Sequence, residues 1–165
     1  MRTTSWWVPG VLTVVCVVGA CKSSNTGPQN QAETYTAVLT GAKEQPAVQT
    51  SATGNGTVTL SADRNTITYT VTFTGLTSNA IAAHIHGPFD PAAQTGGAPV
   101  ILPFANVPSS TSGTITGSAN RQSVLQNNVS FDSLVALLRN GKAYVNVHSV
   151  NYKPGEIRDQ LQKSP

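Results

Sequence analysis

Two of the chain's three histidines, His84 and His86, stand two residues apart in "AAHIHGPFDP"; the third, His148, lies in "AYVNVHS". Neutral imidazoles ligate Cu(II) and Zn(II), and a His-x-His pair on a strand can chelate one ion. On a pleated strand His84 and His86 point the same way, about 7 Å apart. The same alternation turns Val145 and Val147 inward and Tyr144, Asn146 and His148 outward. If the two segments lie in one sheet, all three imidazoles share a non-core surface with Tyr144 and Asn146. Glu156 and Arg158 alternate against Ile157, which would bring a carboxylate and a guanidinium to the same patch. Two chemistries fit these residues. One is a mononuclear copper or zinc site built on His84, His86 and His148. The other is a polar network in which His, Asn, Tyr, Glu and Arg satisfy one another and hold the 87–99 loop over the sheet. Gly87-Pro88 would end a strand without any ligand. Tyr144 serves equally as a cover over the sheet or as a binding anchor, and Glu156 and Arg158 as an exposed cross-strand pair. No nucleophile–base–orienter set is present, so no enzyme activity is expected.

The elements that must position these residues have a period of two. Strands are expected over 34–41, 57–63, 66–73, 79–87, 100–104, 112–120, 142–149 and 155–162. In 66–73, Ile67, Tyr69, Val71 and Phe73 share one face and four threonines the other. In 79–87, Ile81, Ala83 and Ile85 form the apolar face. "DRN" (63–65) makes a hairpin turn, 41–56 reads as a long loop, and Pro103 points to an edge strand. One segment changes period. Phe131, Leu134, Val135 and Leu138 fall on one helical face, with Ser130 as N-cap, Asp132 in the first turn and Gly141 as a left-handed stop. The expected architecture is all-β, an antiparallel two-sheet β-sandwich with one short helix near the C-terminal part.

Composition sets the compartment. The chain has 165 residues, with 10% charged, a net charge of +3 and no basic run, which argues against nucleic acid. Residues 1–21 read as a lipoprotein signal peptide. Arg2 precedes a short apolar stretch that ends in "VVGAC", so Cys21 is the expected lipidation site and membrane anchor. Ordinary secretion with cleavage near Ala20 is the alternative. Cys16 would be lost with the signal, which leaves no disulfide. Residues 22–32 lack large apolar side chains and read as a flexible tether, followed by a domain over 33–163.

Three motifs in order, "LTGAKEQPAVQTSATGNG", "AHIHGP" and "AYVNVHS…PGEIRDQL", resemble the chordin-type CHRD domain over about residues 35–162. The resemblance implies a β-sandwich module with no established catalytic activity, found in secreted and extracellular proteins. Its motif positions fall on His84, His86, Gly87, Asn146, His148, Glu156 and Arg158. Ser149 stands where the family usually has Thr, and Asp159 where it often has Gly. That carboxylate faces the side of Ile157 and Leu161, which questions close backbone packing there unless the strand end is exposed. A weaker resemblance is to copper-zinc superoxide dismutase, which also carries a His-x-His strand. The fourth copper histidine, the zinc cluster and the disulfide are missing here, so dismutase activity is not expected.

The sequence therefore leads to a non-catalytic, lipid-anchored binding or structural module of the cell envelope. It is outer-membrane or periplasmic in a Gram-negative host, with an envelope or extracellular protein as a conceivable partner. No cofactor is expected on the leading reading. On the alternative, copper or zinc occupies the three histidines.

Overall fold

The computed structural model describes residues 31–92 and 97–165, together with Met1 and Thr3. The expected signal peptide, the expected lipidation site Cys21 and nearly all of the expected tether lie outside these residues.

Among the described residues there are nine strands: β1 (Glu33–Thr40), β2 (Thr53–Leu60), β3 (Thr66–Thr74), β4 (Ala80–His86), β5 (Val100–Pro103), β6 (Gly113–Asn120), β7 (Tyr144–Ser149), β8 (Ile157–Gln160) and β9 (Gln162–Lys163). A 3-10 turn occupies Gly41–Lys43, and one helix, α1, spans Phe131–Arg139. The strands form one antiparallel sheet in the order β5-β4-β7-β8-β1-β2-β3-β6, with β9 added on β1. This corrects the two-sheet sandwich: the sheet is single and curls into a half-barrel.

The curl follows from uneven pairing. β1 pairs with β2 along its whole length, from Glu33↔Leu60 to Thr40↔Thr53. It pairs with β8 only at Thr40↔Arg158 and with β9 only at Tyr35 and Thr36. Between these points the Asp159 carboxylate accepts the Val38 N–H at 2.8 Å and meets Lys43 Nζ at 2.7 Å. A side chain thus replaces a ladder bond where the two halves of the sheet diverge, which answers the question raised by the missing glycine. The halves meet again through side chains. Tyr69 of β3 stacks on Phe104, just past β5, at 4.1 Å, and its hydroxyl accepts the Ala105 N–H at 3.3 Å.

The concave face holds the core, including Tyr35, Leu39, Val58, Ile67, Val71, Ile85, Val145, Val147 and Ile157. α1 closes it with Phe131, Leu134, Val135 and Leu138, on the expected face. Ser130 Oγ accepts the Ser133 N–H, and Gly141 takes φ 63°. Arg139 at the helix end grips Glu33 with two 3.0 Å bonds. This contact, joined by the Tyr35 hydroxyl, outweighs the raising effect of burial and holds the Glu33 carboxyl down at about 2.

The strands expected from 142 and 155 begin at Tyr144 and Ile157, and two further departures matter more. β2 begins at Thr53 rather than 57, because Gly54 and Gly56 are strand residues. A Cβ on Gly54 would lie 2.6 Å from the Thr72 carbonyl oxygen across the ladder. In β4 a register shift between Ala80 and Ala82 turns Ile81 out to solvent, so Ala80, Ala83 and Ile85 face the core. The expected edge strand and the β2–β3 hairpin are both present, with Arg64 at φ 62° in the turn.

Candidate functional site

β4 and β7 are hydrogen-bonded neighbours, so the two histidine segments share one sheet. His84 stands opposite Asn146, His86 opposite Tyr144, and Ala82 opposite His148. On the next strand Arg158 stands opposite Asn146. With Ala83, Ile85, Val145 and Val147 committed to the core, these polar residues emerge on the convex face. That face is not open to water. The segments after β1 and after β4 fold over it, leaving His86, Asn146, His148 and Arg158 at most 6% exposed and His84 half-buried.

The imidazoles are oriented from behind. His86 Nδ1 lies 2.8 Å from the Ala98 carbonyl oxygen, and His148 Nδ1 lies 2.8 Å from that of Lys153. A carbonyl only accepts, so both Nδ1 atoms carry the proton and both Nε2 atoms present lone pairs. His148 Nε2 receives His84 Nδ1 at 3.0 Å, whereas His86 Nε2 is buried with no partner. One nitrogen from each residue falls within a cluster no wider than 4.8 Å. An ion held about 2 Å from each nitrogen needs separations of about 3–4 Å. The 3.0 Å pair already fits, and the widest pair must close by less than about 1 Å. Burial, then charge repulsion from His148 and His86, lowers His84 to about 4. Burial lowers His86 to about 4 and also lowers His148. All three rings are therefore neutral at pH 7, the form that ligates.

Aromatic packing fixes the floor. Tyr144 stacks on His86 at 4.9 Å and 3°, and its hydroxyl accepts the Ala98 N–H at 2.9 Å. Phe89 meets Tyr144 edge-on, and the Arg158 guanidinium lies 4.7 Å from both ring centres. Gly87 permits the crossing of β4 past Lys142, whose carbonyl oxygen would lie 2.9 Å from a Cβ there.

Glu156 does not join this cluster. It precedes β8, and its carboxylate accepts from Thr50 Oγ1, the Thr77 N–H and hydroxyl, and Ser149 Oγ. It ties three connections to the end of β7 and is fully buried. The carboxylate that does reach the patch is Glu44, which the sequence pattern did not single out. Asn146 Nδ2 donates to Glu44 Oε2 at 3.3 Å, and Arg158 Nε is 3.9 Å away. Desolvation outweighs that guanidinium and raises Glu44 to about 7. The "AKEQP" stretch carries no periodic signal; the only hint was the adjacent Lys43 and Glu44 in a loop with no other charged residue.

A single curled antiparallel sheet with an imidazole triad, two of its rings buried, on its loop-covered face defines a β-module with a built polar site. A scan of family models matches the CHRD domain over residues 35–161, and the chain belongs to that family. No curated protein and no solved structure matches it. CHRD domains are generally non-enzymatic and typically extracellular or secreted. Among the described residues no helix is long and apolar enough to cross a membrane.

Proposed function

We propose that this chain is a non-catalytic, lipid-anchored envelope module that binds one copper or zinc ion through His84, His86 and His148. The carrying observation is the pair of backbone carbonyls that hold the Nδ1 protons of His86 and His148. They leave two inward Nε2 lone pairs, one of them buried without a partner. Metal-ligating histidines are oriented by such contacts behind the ring. Buried polar atoms generally find a partner, and His86 Nε2 has none. His84 completes the set by moving its single proton from Nδ1 to Nε2, so loading releases no net proton. Imidazole ligates both metals, and at a given nitrogen site Cu(II) binds more tightly than Zn(II). The anchor rests on "VVGAC" at 17–21.

The test is a titration of the untagged full chain in detergent with Cu(II) and Zn(II). One-to-one sub-micromolar binding that is lost in His84→Ala and in His148→Ala is the expected result. If neither ion binds and the two variants merely melt several degrees lower, the histidines serve the fold, as their grip on the Ala98 and Lys153 carbonyls would allow.

A further inference from the structure

The loops that shelter the histidines cover only one half of the convex face. Over β1, β2, β3 and β6 that face is bare, and its side chains stand in rows. One row runs Thr36↔Thr57↔Thr70↔Thr116 across the four strands, and all four residues are exposed. Beside it runs Thr34↔Thr59↔Thr68↔Ser118, so each strand carries two hydroxyls two residues apart on one face. On the other side Val38↔Asn55↔Thr72↔Thr114 continues the uncharged pattern. The three ladders that set these rows run without a register shift. The rows therefore repeat at about 4.8 Å across the strands and about 6.8 Å along them. Strand preference accounts for threonine at such positions, but not for the lack of charge. No Asp, Glu, Lys or Arg stands in the rows, and β6, an edge strand, carries none of the lysine or proline that ordinarily blunts an edge. Among the described residues, the hydroxyls of Thr36, Thr57, Thr70 and Thr116 make no hydrogen bond within the protein.

From this array we propose that the bare face binds ice. A protein partner would be held by aromatic or arginine anchors, a small molecule by a concavity and an anionic membrane by lysines; the rows offer none of these. A crystalline polysaccharide would be gripped by exposed aromatic rings, and Tyr35, Tyr69 and Phe73 of these strands all point into the core. What remains is a neutral, periodic solid with donors and acceptors at its surface. Water oxygens on a prism face of ice repeat at spacings near those of the rows. Each threonine offers a hydroxyl to join that lattice and a methyl group that ordered water can enclose. Neighbouring strands twist by about 20–25°, which confines the match to a few strands. The expected activity is therefore faceting of crystals and slowed recrystallisation rather than a large freezing-point hysteresis.

The inference does not rest on the metal reading. The full chain in detergent micelles is compared with serum albumin in the same micelles, for crystal faceting and for uptake into a slowly growing ice front. The expected result is faceted crystals and selective uptake of the parent. Thr57→Lys and Thr70→Lys place an ammonium, which ice excludes, at the centre of the array. Both positions are exposed, so the fold is expected to stand, and circular dichroism melts check it. Each is expected to weaken uptake by about tenfold or more. Val124→Lys, exposed and off the array, is expected to keep the parent's behaviour. The inference is overturned if the parent neither facets ice nor enters it beyond the albumin level, or if either folded lysine variant of the array matches the parent. It is overturned equally if Val124→Lys loses as much, or if the parent settles on crystalline cellulose or chitin and not on ice.

Discussion

At the scale of single residues, the convex face is governed by what burial does to groups that water would otherwise serve. Glu44 and Asn146 show it most sharply. As a carboxylate, Glu44 takes one bond from Asn146 Nδ2 and leaves its own Oε1 and Asn146 Oδ1 unsatisfied. As an acid it has a proton to give. Its folded-state value of about 7 lies above the ordinary 4.5, so the folded protein holds a proton that the unfolded chain releases. Stability tied to this group is complete below pH 4.5 and is lost as pH rises through about 7. Glu44→Gln, which cannot ionise, is therefore expected to gain on the parent by about 2–3 kcal/mol between pH 4 and pH 8. Urea midpoints at the two pH values measure it, and an unchanged gap would show that Glu44 ionises normally. The histidines were legible because alternation alone assigns them a face. Glu44 was not, because an irregular segment has no period from which to read direction. Glu156 misled for the related reason that alternation was carried one residue too far: the ladder starts at Ile157.

Among the elements, strand phases and the helix could be read from the chain, whereas the way the strands close could not. Ile67, Tyr69, Val71 and Phe73 are buried as the pattern requires, and α1 buries its i, i+3, i+4, i+7 face. A sandwich and a curled sheet give each strand the same inside-outside alternation, so periodicity cannot separate them. What sets the curl is contact at a few points, and Gly117 of β6 is one. A Cβ there would lie 2.2 Å from the Tyr69 hydroxyl oxygen and 2.4 Å from its ring. Tyr69 has little room to yield, being buried and stacked on Phe104. Gly117→Ala is accordingly expected to cost about 2–3 kcal/mol and to disturb the near-ultraviolet dichroism of the Tyr69–Phe104 stack. Chemical denaturation checks the first and the aromatic spectrum the second. The bulge in β4 was equally invisible in advance, since "NAIAAHIHG" alternates without a break, while in the ladder β4 carries one residue, Ile81, more than its partner β7 between Ala80↔Ser149 and Ala82↔His148.

For the whole molecule, the domain and its attachment are separable expectations. Cys21→Ser is expected to move the protein from the membrane pellet to the soluble fraction while leaving the folded domain intact. A parent already soluble would remove the anchor from the proposal. The registers place the site relative to that attachment. His84, Asn146, Arg158 and Thr40 stand in one row across four strands, at the end of β1 opposite Glu33, where the chain enters the domain. Seven strand steps of about 3.4 Å put some 24 Å, roughly, between entry and row. The Debye length at physiological salt is about 8 Å. On a chain anchored at Cys21 and standing on its Glu33 end, the imidazoles sit well outside the ionic atmosphere of the headgroups. They would meet solutes at bulk concentration, unenriched by the bilayer's surface potential.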